Sequence, residues 1–505
     1  MTFETNVNWK AACSYTGLVI KYLSITFSVP VITAVFYGES VEPFLAAAFI
    51  SLILGYGMEK LGDGSDIWVR EGFLMVSLTW LLVAVVGAVP YVVAGSGSLA
   101  SPVNALFESM SGFTTTGSTV MADISLSKHT HSIMLWRQLT QWLGGMGIVV
   151  LAVAVLPKLN TSEGSQLVGD EAPGPTTEKL TPHIADTAKI LWKLYVAITL
   201  AEIGLLYLLH LAGFAPAMNL YNAVSHGFTT LSTGGFSPQA RSIQAFTSIA
   251  QWVVIPFMFV AGVNFSLMWQ AVTERSPKKV VKNSEFKTYT AIILTFSLVL
   301  VALGSGGGFS SGLGSAGVVK DSVFQTVSLI TTTGFANVDF THWSPTPKLV
   351  LFFVIFIGGS AGSTAGAIKV VRWLVIYKAI KRRLFSSIHQ DAVKPIKVGD
   401  RIMDESTIQG IHLFTLLYFL IFAVSTLVVV GTSRFAGFEI DTYAGMTAVS
   451  ATLGNVGPGL GAVGPMDNFL KFPDLPKMLM FFLMWMGRLE IISVLVILTP
   501  SYWRS

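Results

Sequence analysis

The sequence predicts an all-α integral membrane fold: four repeats of helix, pore loop and helix (M1-P-M2) around a central pore, preceded by two extra transmembrane helices. Three observations carry that prediction. Of 505 residues, 52% are hydrophobic and only 12% charged, with a mean hydropathy of +0.64, whereas a soluble surface needs about twice that charge. Residues 74–93, 249–269, 290–303, 349–357, 413–430 and 478–498 are largely apolar, and the longest reach the roughly 20 residues that cross a hydrocarbon core. Finally, one pattern occurs four times: an amphipathic stretch ending in a hydroxyl-rich tract with glycine, then a long apolar span.

Taken in chain order, residues 1–66 hold the two extra spans. The first apolar stretch, 18–37, is interrupted by Lys21 and Pro30 and lacks a small-residue cleavage pattern after it, so it reads as a retained helix and not a signal peptide. The repeats then occupy 67–158, 159–273, 274–400 and 401–505. Their tracts are NALFESMSGFTTTGST from Asn104, NLYNAVSHGFTTLSTGGFS from Asn219, DSVFQTVSLITTTGFAN from Asp321 and DTYAGMTAVSATLGNVGPG from Asp441. With Gly117, Gly234, Gly334 and Gly454 taken as equivalent, the intervals are 117, 100 and 120 residues, room for two helices and a short helix with its loop. The step from Leu220 to Gly234 is three residues longer than that from Leu106 to Gly117, which leaves Gly235 and Ser232 open as alternatives in repeat 2.

Charge placement supplies the orientation. With the amino terminus cytoplasmic, the inside loops gather twenty basic residues, concentrated around Arg275 to Lys287 and Lys369 to Arg401, against five outside: Lys128, Arg241, Lys320, Arg434 and Lys471. The positive-inside rule favours this arrangement, with both termini cytoplasmic. These clusters therefore call for no nucleic acid. The lone Cys13 excludes an intramolecular disulfide and a cysteine metal cluster.

The four tracts suit ion dehydration. Non-helical backbone at membrane depth is tolerated only where it lines water or is buried in protein. A short helix followed by Thr-x-Gly can aim backbone carbonyls at a central axis, with glycine supplying the positive φ that such a path requires, so that rings of carbonyls replace a cation's water shell. Small hydroxylated residues also serve to pack membrane helices closely, but four regularly spaced copies, each preceding a span, exceed that use.

Two further features lie beyond the tracts. After the apolar run 349–357 come Gly358, Gly359, Ser360, Ala361, Gly362, Ser363, Thr364, Ala365 and Gly366, enough glycine to interrupt a helix. The run is either a small-residue packing face or an intramembrane loop. Arg488 sits in the middle of the last span, where a charge costs roughly 2.5 to 3.5 kcal/mol. It either faces an interior cavity or forms a buried ion pair, although Glu490, two positions on, projects from another face of the helix.

Enzyme readings fail on the residues. There is no G-x-x-x-x-G-K-[ST] loop and no H-E-x-x-H helix, and the glycine-rich stretch from Gly304 lacks the phosphate-binding lysine and reads as an outer connection. His210, His226 and His412 read as satisfied membrane histidines. A secondary transporter also uses broken helices, but all four copies share one orientation, which points to a pore and not to rocking of inverted halves.

TTTGST at Thr114, STGGFS at Ser232, TTTGFA at Thr331 and ATLGNVGPGLG at Ala451 resemble the four filter loops of the Trk/Ktr/HKT superfamily of cation transporters. QWLGGMGI from Gln141, GDEAPGPTTEKLTPHIADTAKILW from Gly169, GGSAGSTAGAIKVVR from Gly358 and MGRLEIISVLVILTP from Met486 agree over essentially the whole chain. The two extra amino-terminal spans resemble the TrkH type. This resemblance implies potassium uptake across the cytoplasmic (inner) membrane, with potassium as substrate and no cofactor on the chain itself. It implies a potassium-binding filter of Thr115, Thr116 and Gly117; Ser232, Thr233 and Gly234; Thr332, Thr333 and Gly334; and Thr452, Leu453 and Gly454. Glycine at the Gly117 position implies potassium preference over sodium. The tract Gly358 to Thr364 becomes a gate beneath the filter and Arg488 a pore-facing electrostatic barrier coupled to it. The implied partners are a second copy of the chain in a homodimer, membrane lipid and a cytosolic TrkA-like RCK ring, the ring carrying the nucleotide (ATP/ADP or NAD). A symporter coupling potassium to sodium or proton entry is the alternative.

Overall fold

A computed structural model describes residues 7–62, 69–154, 184–309, 314–389, 394–399 and 401–504. Lys158 and Lys179, two of the twenty basic residues counted on the inside, and the first part of the segment from Gly169 lie outside the described residues. The molecule is an all-α membrane protein whose only described strands form a two-stranded antiparallel hairpin, Lys397–Val398 with Arg401–Ile402, at the junction of the third and fourth repeats.

Among the described residues, six helices are long and apolar enough to cross a membrane: Trp9–Tyr37, Glu42–Glu59, Arg70–Ala94, Ala188–Leu211, Ser284–Gly308 and Glu405–Phe435. Lys21 and Pro30 do not end the first of these. A seam at Phe27 separates Trp9–Thr26 from Ser28–Tyr37, and Pro30 falls in the first turn of the second piece, where a missing N–H costs no helical bond. The first span crosses Glu42–Glu59 at two small residues. A Cβ at Gly17 would lie 2.7 Å from the Gly55 carbonyl oxygen, and one at Gly55 would lie 2.7 Å from that of Gly17, the close approach that glycine permits between membrane helices. Lys21 pairs there with Glu59 at 2.8 Å.

Each repeat then follows one plan. The outer helices are Val69–Ala94, Ile184–Leu211, Ser284–Leu303 and Glu405–Phe435. Short pore helices follow: Pro102–Phe113, Leu220–Leu231, Ser315–Ile330 and Thr442–Leu453. Their starts are written locally. Pro102 occupies the first turn of one, and the Asn219 side chain accepts the Asn222 N–H of the next at 2.9 Å. The inner helix of repeat 1 is His131–Ala154. The other three inner helices are broken. Ser248–Ala261 turns by 95° into Phe265–Thr273, and Asp474–Arg488 turns by 114° into Ile492–Leu498. In repeat 3, Pro345–Val354 gives way to an extended loop before Val370–Ile388.

Inner helices lean on pore-helix ends through glycine. A Cβ at Gly144 would lie 2.0 Å from the Phe113 carbonyl oxygen, and one at Gly487 would lie 2.0 Å from that of Leu453. Phe113 and Leu453 are the last residues of their pore helices, so these contacts set the depth of the loops that follow. We predict that Gly144→Ala lowers the thermal stability of the purified protein by about 1–3 kcal/mol, the usual cost of overpacking. Gly57→Ala, in a helix where a Cβ meets nothing within 4 Å, leaves stability unchanged or slightly raised; equal melting of both variants sinks this account of the contact.

Candidate pore and intramembrane gate

The four pore helices end in one repeated backbone path. The capping residues are Thr114, Ser232, Thr331 and Gly454. The next residues are left-handed, Thr115 (φ 53), Thr233 (φ 54), Thr332 (φ 56) and Asn455 (φ 51), although none is glycine. Then Thr116, Gly234, Thr333 and Val456 each return an N–H to the carbonyl five residues back, at 2.8, 2.9, 2.8 and 2.9 Å. This is a helix-ending motif in which the left-handed position is usually glycine. Glycines follow at Gly117 (φ 85), Gly235 (φ 76), Gly334 (φ 75) and Gly457 (φ 103).

That register corrects the expected equivalence in two repeats. The counterparts of Gly117 and Gly334 are Gly235 and Gly457, not Gly234 and Gly454. Thr452 and Leu453 belong to the last turn of their pore helix, with Gly454 its cap, and Ser232 is likewise a cap. The loop of repeat 4 is therefore Asn455, Val456 and Gly457, and that of repeat 2 is Thr233, Gly234 and Gly235. Repeat 2 has two adjacent glycines for two reasons. Gly235 needs the positive φ, whereas a Cβ at Gly234 would lie 2.3 Å from the Gln141 side chain.

These loops close on one another. A Cβ on Gly117 would meet the Gly234 carbonyl oxygen at 2.2 Å, one on Gly235 that of Thr333 at 2.0 Å, one on Gly334 that of Val456 at 2.1 Å, and one on Gly457 that of Thr116 at 2.7 Å. Each repeat thus touches the next and the fourth touches the first, a ring in chain order. All four glycines line a single cavity of about 100 Å³, with Asp467 also in its lining. Burial and the neighbouring Asp339 push the Asp467 carboxyl up from its ordinary range. The pore helices end at this ring, so their partially negative carboxyl ends favour a cation there.

Directly beneath lies the broken helix of repeat 3. Its loop is pinned, not loose: Gly366 N–H donates to Thr332 Oγ1 at 2.7 Å and Ala367 N–H to the Gly454 carbonyl at 2.9 Å. The Thr364 hydroxyl donates to the carbonyls of Leu231, 3.1 Å, and Ala261, 3.2 Å. Ser360 N–H reaches the Gly262 carbonyl at 2.9 Å, and Gly358 N–H the Ile368 carbonyl at 2.9 Å. Gly359, Ala361, Gly362 and Ser363 complete the turn, Ala361 N–H held by Glu285 at 2.6 Å and Gly362 at φ 72. Of the two readings open for this run, the structure has the intramembrane loop.

Arg488 is the last residue before the 114° bend and is buried. Its guanidinium donates to the Thr364 carbonyl at 2.8 Å and the Gly144 carbonyl at 3.3 Å, with no carboxylate in ion-pair range among the described residues. Glu490, which the sequence places on another face from Arg488, pairs with Arg372, just past the loop. The loop, the last inner helix and the inner helix of repeat 1 therefore meet at one cation.

Several buried polar residues were not singled out from sequence. Glu108 and Arg137 pair at 2.6 Å, both almost wholly buried, Gln141 bonds the loop of repeat 2, and Lys477 donates to Asn104 at 2.7 Å. For Arg137 the signal was present: an ionisable residue within a largely apolar inner helix. His226 is satisfied as expected, between the Asn222 carbonyl at 2.7 Å and the Ser237 hydroxyl at 3.0 Å.

Over nearly its whole length the chain is similar to known proteins. The family TrkH, described as cation transport protein, matches residues 42–305 and 289–505. The Trk system potassium uptake protein TrkH of Escherichia coli K12 is 35% identical over 505 residues, covering 99% of this chain and 100% of that one. Its namesake from Vibrio parahaemolyticus is 35% identical over 497 residues, covering 97% and 98%. The crystal structure of the potassium transporter TrkH from Vibrio parahaemolyticus superposes with a TM-score of 0.87 at 32% identity, covering 99% of this chain and 100% of that one. With sequence, length and fold in agreement, this chain belongs to the TrkH family of cation transport proteins.

Proposed function

We propose that this protein takes up potassium ions across the cytoplasmic (inner) membrane through a selective, gated, channel-like pore. The observation that carries this reading is the closed ring of four equivalent loops, Gly117, Gly235, Gly334 and Gly457 against the carbonyls of Gly234, Thr333, Val456 and Thr116. A dehydrated cation is stabilised by oxygen dipoles from all four sides and by the carboxyl ends of four pore helices. The relatives' names supply potassium as the ion.

Below the ring, the loop Gly358 to Thr364 acts as the gate and Arg488 as its barrier. A positive charge at about 4–8 Å from a passing cation costs about 2–4 kcal/mol at an effective dielectric near 20. Because the loop is hydrogen-bonded to repeats 2, 3 and 4, opening requires an external source of free energy. A cytosolic TrkA-like RCK ring that binds nucleotide, docking on the basic inner face of a homodimer, supplies it. The amino and carboxyl termini are cytoplasmic, as the positive-inside bias requires.

Bilayer recording of the purified protein tests the reading: a reversal potential that follows the potassium gradient alone supports a channel, and a shift with pH or sodium at fixed potassium overturns it in favour of coupling. In that assay Gly117→Ser, Gly235→Ser and Gly457→Ser each lower the potassium to sodium permeability ratio at least about fivefold, since a side chain there displaces a carbonyl of the next repeat. Unchanged ratios would remove these glycines from the filter. Arg488→Ala raises the flux of both ions about tenfold or more while leaving their ratio nearly intact; a folded variant that conducts no faster refutes the barrier. Charge reversal at Lys381, Arg382 and Arg383 abolishes copurification with a TrkA-like subunit, and a complex surviving at moderate salt places the contact elsewhere.

A further inference from the structure

The loop of repeat 2 is held from behind on both sides of Gly235. The inner helix of repeat 1 carries Arg137 and Gln141, one turn apart on one face, and both are buried. Gln141 Nε2 donates to the Gly234 carbonyl at 2.6 Å, while its Oε1 accepts the Phe236 N–H at 3.0 Å. One side chain therefore brackets Gly235. Arg137 donates to the Ser237 carbonyl at 3.0 Å, and its guanidinium lies 3.5 Å from the centroid of the Phe236 ring.

Glu108, on the pore helix of repeat 1, orients Arg137 through its Nε at 2.6 Å. The same carboxylate accepts the Thr119 hydroxyl at 2.8 Å and the Val120 N–H at 2.9 Å. Thr119 and Val120 leave the loop of repeat 1 as Ser237 leaves that of repeat 2, so a charged relay joins the two exits. Its place is occupied otherwise in the other repeats. Six residues before the caps Thr114, Ser232, Thr331 and Gly454 stand Glu108, His226, Gln325 and Ala448. His226 bonds Ser237 within its own repeat, and Gln325 bonds Asn337 at 2.8 Å within its own, Asn337 also reaching the neutral Gln251 of the preceding inner helix at 3.4 Å. Ala448 has no polar side-chain atom, so the charged pair is particular to the seam between repeats 1 and 2. A buried ion pair costs desolvation that its Coulomb attraction only partly returns, so global stability is a poor reason for its presence.

We propose that Arg137 and Gln141 are positioning residues for ion discrimination, holding the backbone on both sides of Gly235 so that the loop of repeat 2 cannot follow a smaller cation inward, with Glu108 orienting Arg137 and neutralising its charge beside the cavity. This rests on the reading of the ring as the ion-selecting element. A ring member free to contract would coordinate sodium as well as potassium; one clamped from behind leaves sodium under-coordinated.

The test is the potassium to sodium permeability ratio of the full-length protein in bilayers, for Gln141→Met, which removes both bonds at similar volume, and Arg137→Lys, which keeps a charge for Glu108 but loses the guanidinium fork. Each lowers the ratio roughly three- to tenfold, as expected for one or two lost hydrogen bonds bearing on one ion's coordination. Thr199→Val, which removes the partner of Trp142 on the same helix without touching the loop, lowers melting temperature and leaves the ratio alone. Should Gln141→Met fail to elute as a folded species, Arg137→Lys decides alone. Unchanged ratios in the folded variants, while Gly117→Ser shifts the ratio, overturn this inference and spare the ring; an unchanged ratio in Gly117→Ser as well overturns both.

Discussion

The structure depends on four backbone contacts at its centre, where a glycine of each repeat meets a carbonyl of the next at a distance no side chain tolerates. Everything else positions those contacts. Pore helices are buried over their last turns, so that their carboxyl ends arrive together, and inner helices approach them through Gly144 and Gly487, where even a methyl group would overlap the chain. Close packing of small residues, the general device of membrane helices, here fixes the depth and aperture of a ring.

The same ring accumulates strain that a membrane fold would otherwise avoid. Thr115, Thr233, Thr332 and Asn455 are all left-handed without being glycine, a conformation that costs roughly 1–2 kcal/mol per residue. Four such costs persist because each lets the next N–H return to the pore helix and turns the chain along the axis. Strain of this kind concentrates where geometry serves function, and its fourfold recurrence marks the ring as firmly as the glycines do.

Charge is distributed according to the same centre. On the ring side of the loop that follows 357, the buried carboxylate Glu108 neutralises Arg137. Below, Arg488 has only carbonyl partners while Glu490 goes to Arg372, leaving a positive charge beneath the ring. The loop that follows 357 is held by repeats 2, 3 and 4 together, and Arg488 bonds the same loop at the start of the last bend.

Composition, hydropathy and a fourfold hydroxyl-glycine tract determined the membrane class, the repeat number and the approximate place of every loop, because a bilayer admits few solutions for backbone polar groups. The interruption between 358 and 366 and the misplaced charge at Arg488 were equally legible, since glycine and arginine are costly inside a span. Register was not. Gly234 or Gly235, and Gly454 or Gly457, cannot be separated along a chain, because the choice depends on where each pore helix ends and on what stands opposite: Gln141 against Gly234 and the Thr116 carbonyl against Gly457. Partnership was likewise decided only in three dimensions. Glu490 is two residues from Arg488 in sequence, yet the bend that begins there turns it toward Arg372, 118 positions away.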